Sequence, residues 1–244
     1  MTKSVLGIDV GGSSIKAGLV DITTGRMLTP LASVPTPQPS TPARLLDAFV
    51  DLDARLAGGG AIGLAMPSVV QQGVTRTAAN IDRGWIDFDC AGRLRERLGR
   101  PIVVLNDADA AGVAEMRWGA GQGTTGVVIM LTFGTGIGSA IFNDGVLLPN
   151  TELGHLEMQG MEAEHFASAR VRTEQQLDWP AWAARVNQYL ARMHALFWPD
   201  VFILGGAVSE NFAQFAPLLG SPAEIRAAQF GGQAGLIGAA LAAA

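Results

Sequence analysis

Two glycine-rich turns, each set between apolar runs of strand type, constrain the fold of this chain more than any other feature. The first turn is Gly11-Gly12-Ser13 and the second is Gly134-Thr135-Gly136. The flanking patterns predict a strand, a tight turn and a returning strand in each place. Glycine lets the backbone approach a bound anion closely, and successive N–H groups at such a turn form a concave phosphate cradle. Two similar turns about 124 positions apart suggest a duplicated lobe with phosphate held between the copies.

The bulk properties exclude several classes of function. The chain has 244 residues, of which 48% are hydrophobic and 16% charged, and this indicates a well-packed globular protein. Its net charge of −5 argues against nucleic-acid binding through a general basic surface. The apolar runs are short and interrupted, and the start of the chain leads directly into a strand, so neither a membrane span nor a signal peptide is predicted. We therefore expect a cytoplasmic protein with no nucleic-acid or membrane partner.

The order of predicted elements indicates an α/β protein of two sheet-and-helix lobes with a central cleft. Strands are predicted over 3–10, 14–21, 26–34, 61–66, 101–105 and 201–204, with hairpins over 69–76 and 126–149. Helices are predicted from the Thr41 cap to 56, over 91–98, from Asp107 or Asp109 to 118, and over 179–197 and 235–244, and 150–175 is predicted to be irregular. The last helix is apolar all round, so it should lie between other elements. Residues 1–108 with 230–244 are predicted to form a smaller N-terminal lobe, and residues 109–229 a larger C-terminal lobe.

Asp9 and Lys16 flank the first glycine turn. A carboxylate at position 9 can hold Mg²⁺ through water, and the ion would neutralise the phosphates that the turn cradles. The structural alternative is that Asp9 only caps a turn. Lys16 can reach phosphate from the returning strand, although a solvated strand lysine is the favoured interpretation.

Asp107 is the best candidate for a general base. It follows a buried strand, so the sheet should carry it to a carboxyl-end crevice, where ligands of open α/β sheets usually bind. A carboxylate there can accept the proton of a sugar hydroxyl as its oxygen attacks phosphorus. Its alternative role is that of a helix N-cap, which is also compatible with catalysis. Asp109 is the second candidate for the base.

A short stretch concentrates polar groups suited to sugar recognition. Residues 150–157 and 162–165 contain several carboxylates and two of the three histidines. Planar donors and acceptors can pair with neighbouring hydroxyls, and Asn80 in the loop 77–82 offers both. A metal site and solvated loop charges are the alternatives, but the mixed spacing without thiolates makes zinc the minority interpretation. The single cysteine, Cys90, permits no internal disulfide and is interpreted as a small buried side chain.

Four motifs resemble those of the ROK sugar kinases, which have the two-lobed hexokinase–actin-like ATPase (ribonuclease H-like) fold. They are Gly7-Ile8-Asp9-Val10-Gly11-Gly12-Ser13, Leu105-Asn106-Asp107-Ala108-Asp109-Ala110-Ala111, Leu131-Thr132-Phe133-Gly134-Thr135-Gly136-Ile137-Gly138 and Leu204-Gly205-Gly206-Ala207-Val208-Ser209. The resemblance extends from Gly7 to Leu241. It implies this fold, a kinase activity and a homodimer.

The resemblance also implies the roles of individual residues. Asp107 would be the catalytic base, and Mg²⁺ would lie near Asp9, held through water. The residues implied to contact the sugar are Asn80, Asn106, Asp107, Glu152, His155 and Glu164. Those implied to bind the phosphate donor are Asp9, Gly11, Gly12, Ser13, Lys16, Thr132, Gly134, Thr135, Gly136, Gly205 and Gly206.

Within the family, the chain is more similar to the polyphosphate glucokinases and glucomannokinases. Three stretches carry this likeness: 77–86, 106–116 and 150–157. Met161, Glu162 and Ala163 occupy the region where many ROK proteins have a Cys-rich zinc loop, so no zinc is predicted. Ser14 and Ser68 stand where relatives usually have glycine. The segment between Leu219 and Gly235, which should border the nucleotide base, is abbreviated, and this favours polyphosphate over ATP.

These expectations describe one enzyme and two alternatives. The enzyme would transfer the terminal phosphoryl group of inorganic polyphosphate, and also of ATP, to the 6-hydroxyl of glucose or mannose. Arg76, Arg83 and Arg93 are candidates to guide a long polyanion, with plain surface charge as the alternative. An ATP-only hexose or N-acetylhexosamine kinase is the first alternative function. A non-catalytic sugar sensor is the second, and the presence of Asp107 and of both glycine turns argues against it.

Overall fold

The structure, a computed structural model, describes residues 4–56 and 58–244, and the chain forms two compact units. Unit 1 consists of Met1–Ala114 and Gln233–Ala244, and unit 2 of Glu115–Gly232. The first boundary between the units, at 114/115, lies six residues after the predicted lobe boundary at 108/109. The second, at 232/233, lies three residues after the predicted boundary at 229/230. The two units are nearly equal in length, and the first is not the smaller.

Unit 1 is built on a six-stranded sheet with the order β3-β2-β1-β5-β9, in which β4 also pairs with β2. β1 runs antiparallel to β2 and parallel to β5, and β5 runs parallel to β9. Its larger strands and helices are β1 (Ser4–Val10), β2 (Ser14–Asp21), β3 (Arg26–Met27), β4 (Ala32–Pro35), α1 (Pro42–Leu56), β5 (Ile62–Met66), α2 (Cys90–Leu98), β9 (Ile102–Asn106) and α8 (Ala234–Ala242). A small second sheet contains β6 (Val70–Gln71), β7 (Val74–Thr75) and β8 (Phe88–Asp89).

The alternation of side chains in β1 separates two faces of this sheet. Leu6, Ile8 and Val10 pack into the core that includes α1 and α2. Gly7 lies on the opposite face, where a Cβ would be 2.0 Å from the carbonyl oxygen of Leu236 in α8. Gly63 in β5 meets the same helix even more closely. Small residues therefore let α8 lie directly on the sheet, and its buried surface explains why this helix is apolar all round.

Unit 2 has a five-stranded sheet with the order β12-β11-β10-β15-β16. Its elements are β10 (Val127–Phe133), β11 (Ile137–Asn143), β12 (Val146–Leu148), β13 (Glu157–Met158), β14 (Met161–Glu162), α4 (Ala163–Ala167), α5 (Ala169–Glu174), α6 (Trp179–Phe197), β15 (Val201–Gly205), α7 (Phe212–Phe215) and β16 (Glu224–Ala227). Trp182 and Tyr189 of α6 are fully buried against Phe133 and the other core residues of β10 and β15. The helix α3 (Asp107–Trp118) begins in unit 1 and ends in unit 2.

The two sheets repeat one topology. In each, a central strand pairs with an antiparallel partner on one side and a parallel strand on the other. Asp9 and Thr132 occupy the same place, the penultimate position of the central strand before a glycine turn. This correspondence agrees with the duplication suggested by the two turns.

The structure corrects two sequence-based assignments and bears out others. The predicted strand 26–34 is interrupted, because Leu28–Leu31 leaves the ladder around Pro30 and β4 resumes against Ser14–Ala17 of β2. The segment 150–175, predicted to be irregular, contains β13, β14, α4 and α5. These elements have only two to six residues, too few for a periodic pattern to be recognised. Cys90 is buried as expected, and the start of the predicted strand at position 3 lies outside the described residues.

The Glu115 side chain accepts hydrogen bonds from two separate segments of unit 2, one at Ala120 and one at Gln229 and Phe230. The fully buried side chain accepts the N–H of Ala120 on Oε2 at 2.9 Å. Oε1 accepts the N–H groups of Gln229 and Phe230 at 2.7 and 2.9 Å. One carboxylate thus accepts one buried and two partly buried backbone N–H groups. In the part of the chain that the structure describes, no helix is both long and apolar enough to cross a membrane.

Candidate active site

The first glycine turn is closed and held from one side. The N–H of Gly11 donates to the carbonyl of Ser14 at 3.0 Å, which closes the turn between β1 and β2. Thr36 donates its hydroxyl to the carbonyl of Gly11 at 2.6 Å and its N–H to that of Ser13 at 3.0 Å. A Cβ at Gly12 would meet nothing within 4 Å, so this side of the turn is open to a ligand. Ser14 is the first residue of β2.

Asp9 lies on the sheet face that carries α8. A Cβ on Gly235, in the first turn of that helix, would be only 2.7 Å from the Asp9 carboxyl carbon, so glycine is needed there to accommodate the carboxylate. Asp9 pairs across the ladder with Lys16. Burial raises the pKa of Asp9 to about 6, although the Lys16 charge opposes the rise. A desolvated carboxylate gains from a nearby cation, and Mg²⁺ commonly takes one or two carboxylates with water and phosphate, so Asp9 fits this role.

The segment with Asn106 and Asp107, the predicted base, lies where β9 ends and α3 begins. Asn106 Oδ1 accepts the N–H groups of Ala108 and Asp109 at 2.9 and 3.1 Å, and its Nδ2 donates to the carbonyl of Ser68 at 3.2 Å. Asp107 Oδ1 also accepts the Ala108 N–H, at 2.8 Å. Asn106 is therefore the capping side chain, and the alternative of Asp107 as the sole helix cap is not required. The Asn106 amide already makes these three hydrogen bonds, so a contact with sugar would have to share the same amide atoms.

The C-terminal ends of three parallel strands meet at one edge of the unit 1 sheet. Asp9 pairs with Ala65, and Met66 pairs with Asn106 in the register of β1, β5 and β9. Asp9 and Asp107 therefore lie at the same edge, the usual position of ligands in open α/β sheets. Asp109, the second candidate for the base, is buried, with only 1% of its surface exposed.

The loop with Asn80 is attached to the same edge through Ser68. The Ser68 hydroxyl bonds to the carbonyl of Thr77 at 2.8 Å, and Thr77 Oγ1 accepts the N–H of Val69 at 2.9 Å. Asn80 is exposed three residues further along. Ser68 thus anchors this loop.

Two of the three arginines considered as polyanion guides are paired with carboxylates. Arg76 Nη1 lies 2.8 Å from Asp87, and Arg93 Nη1 lies 3.2 Å from Glu96. All four side chains are substantially exposed. Arg83 is exposed in a short 3₁₀ helix. These contacts neutralise part of the charge that Arg76 and Arg93 would offer to a polyanion.

The second glycine turn, in unit 2, is held at three points. The N–H of Gly134 donates to the carbonyl of Gly136 at 3.0 Å, and the Arg170 N–H donates to the carbonyl of Gly134 at 3.0 Å. Glu164 Oε2 accepts the N–H of Ile137 at 3.3 Å. A Cβ at Gly134 would meet nothing within 4 Å, so this turn also has an open side.

The third donor-side motif lies beside this turn. Thr132 of β10 pairs with Gly205 at the end of β15. Gly206 has a φ of +81°, and a Cβ there would lie 2.5 Å from the carbonyl oxygen of Phe133, so two independent constraints require glycine. The structure thus brings together Thr132, Gly134, Thr135, Gly136, Gly205 and Gly206 at one edge of the unit 2 sheet.

The segment with Glu152 and His155 is fixed to β11. The Ser139 hydroxyl bonds to the carbonyl of Thr151 at 2.5 Å, and Thr151 Oγ1 donates back to the carbonyl of Ser139 at 2.9 Å. A Cβ at Gly154 would be 2.2 Å from the carbonyl oxygen of Ile137, so glycine permits the close approach.

Three carboxylates surround His155. Its Nδ1 lies 3.2 Å from Glu162 and its Nε2 lies 3.7 Å from Glu152. Partial burial lowers the pKa of His155, but the hydrogen bond and charge of Glu162, with the charges of Glu164 and Glu152, outweigh it and raise the pKa overall. Burial raises the pKa of Glu152. Ligand atoms of His155, Glu162 and Glu164 lie within 4.8 Å of one another; exposed acidic groups often cluster in this way without an ion, and we assign no metal to them.

Sequence reasoning missed several residues that shape these sites. Thr36 and Gly235 contact the first turn and Asp9, and Arg170 anchors the second turn through its backbone. Each acts on a residue at least 23 positions away in sequence. Only the Gly235 position carried a signal, since a glycine in the first turn of an apolar helix suggests close packing.

Comparison with known proteins gives consistent matches. The profile described as ROK family matches residues 5–173. The polyphosphate glucokinase of Mycobacterium tuberculosis is 43% identical over 237 residues, covering 97% of this chain and 89% of the relative. The crystal structure of the inorganic polyphosphate/ATP-glucomannokinase from Arthrobacter sp. strain KM is 42% identical, with a TM-score of 0.95 and 98% coverage of both chains. A ROK family glucokinase from Streptomyces griseus, solved with glucose and AMPPNP, is 29% identical with a TM-score of 0.83 and 98% coverage of both chains.

These matches confirm the family resemblance that the four motifs indicated and the α/β, actin-like ATPase fold that it implied. They cover the chain from end to end, including both glycine turns and the segment around Asp107.

Proposed function

Because the chain belongs to the ROK family, we propose that it is a polyphosphate-dependent glucokinase that also uses ATP. It transfers the terminal phosphoryl group of the donor to the 6-hydroxyl of glucose and forms glucose 6-phosphate. The observation that carries the proposal is the position of Asp107 at the same sheet edge as Asp9 and the first glycine turn. The likeness to proteins named as polyphosphate glucokinase and polyphosphate/ATP-glucomannokinase supports the choice of donor and sugar.

Asp107 acts as the general base of the transfer. Its carboxylate accepts the proton of the sugar 6-hydroxyl while the hydroxyl oxygen forms a bond to the terminal phosphorus. The bond from that phosphorus to the bridging oxygen breaks, and the shortened polyphosphate or ADP leaves with the electron pair. Asn106 supports this role because its side chain caps α3 and fixes the backbone from which Asp107 projects.

The glycine turns provide the donor site. We assign donor binding to Gly11, Gly12 and Ser13 in the first turn and to Thr132, Gly134, Thr135 and Gly136 in the second, with Gly205, Gly206 and Lys16. Both turns leave an open side at Gly12 and Gly134, where phosphate oxygens can approach backbone N–H groups. Mg²⁺ held near Asp9 would supply charge neutralisation for the phosphates when bound.

The acceptor sugar is assigned to a second group of residues. Glu152, His155 and Glu164 in unit 2, with Asn80 and Asn106 in unit 1, offer planar acceptors and donors for neighbouring hydroxyls. The contact between His155 and Glu162 fixes the imidazole orientation. Mannose as a second acceptor, a homodimeric state and a cytoplasmic location are further parts of this proposal and rest on the family resemblance.

A steady-state assay tests the function directly. Initial rates are measured with Mg²⁺ for polyphosphate and for ATP, each against glucose, mannose, N-acetylglucosamine and N-acetylmannosamine. We expect glucose 6-phosphate formation with polyphosphate, at a kcat/KM at least equal to that with ATP. Activity with ATP alone would replace this proposal by an ATP-only hexose or N-acetylhexosamine kinase. Glucose binding without consumption of either donor would indicate a sugar sensor.

A further inference from the structure

One carboxylate in unit 2 contacts the second glycine turn and also faces the groups assigned to sugar. Glu164 Oε2 accepts the N–H of Ile137, the residue that follows Gly136. Its other oxygen, Oε1, lies 3.8 Å from His165 Nε2, and ligand atoms of Glu164 and of His155, which is assigned to sugar, lie within 4.8 Å of each other. The Glu164 side chain is only 14% exposed, so it is largely enclosed by these neighbours.

Gly136 leaves room for this carboxylate, and its own backbone conformation does not call for glycine. It is not among the glycines with positive φ, so an L-residue could adopt its backbone conformation. A Cβ at this position would nevertheless lie 2.3 Å from Glu164 Oε2 and 3.2 Å from its Cδ. Gly134, on the other side of Thr135, meets no such obstacle. The turn therefore has no side chain at the position that Glu164 contacts most closely.

We propose that Glu164 is a positioning residue that couples sugar binding to donor binding, an inference that rests on the function proposed above. A sugar hydroxyl that donates to Glu164 fixes the carboxylate, and the fixed carboxylate then holds the Ile137 N–H and orders the second glycine turn. The donor binds more tightly to a turn that is already ordered, because less conformational entropy is lost. By linkage, the donor must tighten sugar binding by the same factor. Donor without sugar would meet a looser turn, which limits wasteful hydrolysis.

Equilibrium titration of a turnover-blocked enzyme measures this coupling. Glucose is titrated calorimetrically into Asp107→Asn protein with and without saturating polyphosphate and Mg²⁺. The titration is repeated after adding Glu164→Gln, Gly136→Ala or, as the matched control, Glu162→Gln. Glu162 is a suitable control because it is a carboxylate of the same cluster, in contact with His155 and His165. Unlike Glu164, it makes no hydrogen bond to the second glycine turn among the described contacts. The measured quantity is the ratio of the two glucose dissociation constants.

We expect polyphosphate to tighten glucose binding at least about five-fold in the Asp107→Asn and Glu162→Gln proteins. The ratio should fall below about two-fold in Glu164→Gln and Gly136→Ala, whatever the change in absolute affinity. If Gly136→Ala fails to fold, the isosteric Glu164→Gln decides alone. An unchanged ratio in Glu164→Gln, or no coupling in the parent protein, overturns the inference while leaving the kinase assignment intact. A parent that binds no glucose, or a wild type without kinase activity, overturns the proposed function and the coupling with it.

Discussion

The side chain of Asn106 caps the helix that begins with Asp107. Its Oδ1 accepts the N–H groups of Ala108 and Asp109, and its Nδ2 reaches the carbonyl of Ser68. The residue before the proposed base thus performs the structural task that the base itself could have performed. This division separates the effects expected when either residue is changed.

Asn106→Ala should lower the free energy of unfolding by about 1 kcal/mol, because the helix loses its capping side chain. Asp107→Asn should have a much smaller effect, since the cap is retained. Urea denaturation of both variants and the wild type provides the comparison. A larger loss of stability in Asp107→Asn than in Asn106→Ala would show that the cap has been assigned to the wrong residue.

Gly235→Ala should weaken the proposed Mg²⁺ site without a direct effect on sugar contacts. The new Cβ would lie 2.7 Å from the Asp9 carboxyl carbon, so Asp9 must move away from its position beside α8. We expect the Mg²⁺ concentration for half-maximal rate to rise several-fold, which corresponds to a loss of roughly 1 kcal/mol in the free energy of Mg²⁺ binding. Gly59→Ala is the control, because a Cβ there meets nothing within 4 Å and φ is not positive. If the Mg²⁺ dependence of Gly235→Ala were the same as that of the wild type, Asp9 would not be a residue that holds the metal.

Glu115→Ala should destabilise unit 2 by about 3 kcal/mol, because one buried and two partly buried N–H groups lose their carboxylate acceptor. The measurement is chemical denaturation followed by tryptophan fluorescence. Glu174→Ala, at an exposed position at the end of α5, serves as the control and should change stability by less than about 0.5 kcal/mol. Equal effects of the two substitutions would contradict the role given to the buried carboxylate.

Glu162→Gln should lower the pKa of His155, because the variant loses the charge of Glu162, the largest of the three carboxylate charges that raise it. The pKa can be followed by NMR titration of the imidazole C–H signals. Since the native pKa lies above the ordinary value of 6.5, the stabilising contribution is fully present below pH 6.5 and disappears as pH rises through the native pKa. The variant should therefore lose more stability below pH 6.5 than at a pH above the native pKa, which the same NMR titration locates. The opposite pH trend would mean that Glu162 does not pair with the charged imidazole.

Much of the framework could be predicted from the sequence because its determinants are local. The alternation in β1 and β10, the glycine turns and the strand before Asp107 are patterns within about ten residues. The motifs that carry the family resemblance lie in the same short stretches, and the comparisons confirm that resemblance. The roles of the individual site residues stay predictions.

Other features depend on contacts that no local pattern contains. The interrupted strand around Pro30 and the short elements between 150 and 175 are too brief to show a period. The contact of Gly235 with Asp9 joins residues 226 positions apart, and that of Glu164 with Gly136 depends on how α4 packs on β11. Asn106 and Asp107 are both good capping residues, so only the coordinates could distinguish them.

The catalytic role of Asp107 is tested most directly by the kcat of Asp107→Asn with saturating polyphosphate and glucose, measured beside the glucose dissociation constant. The account predicts a loss of about 10²–10⁴-fold in kcat, the usual contribution of a general base, while glucose binding changes by less than about ten-fold. A kcat within a few-fold of the wild type would contradict it.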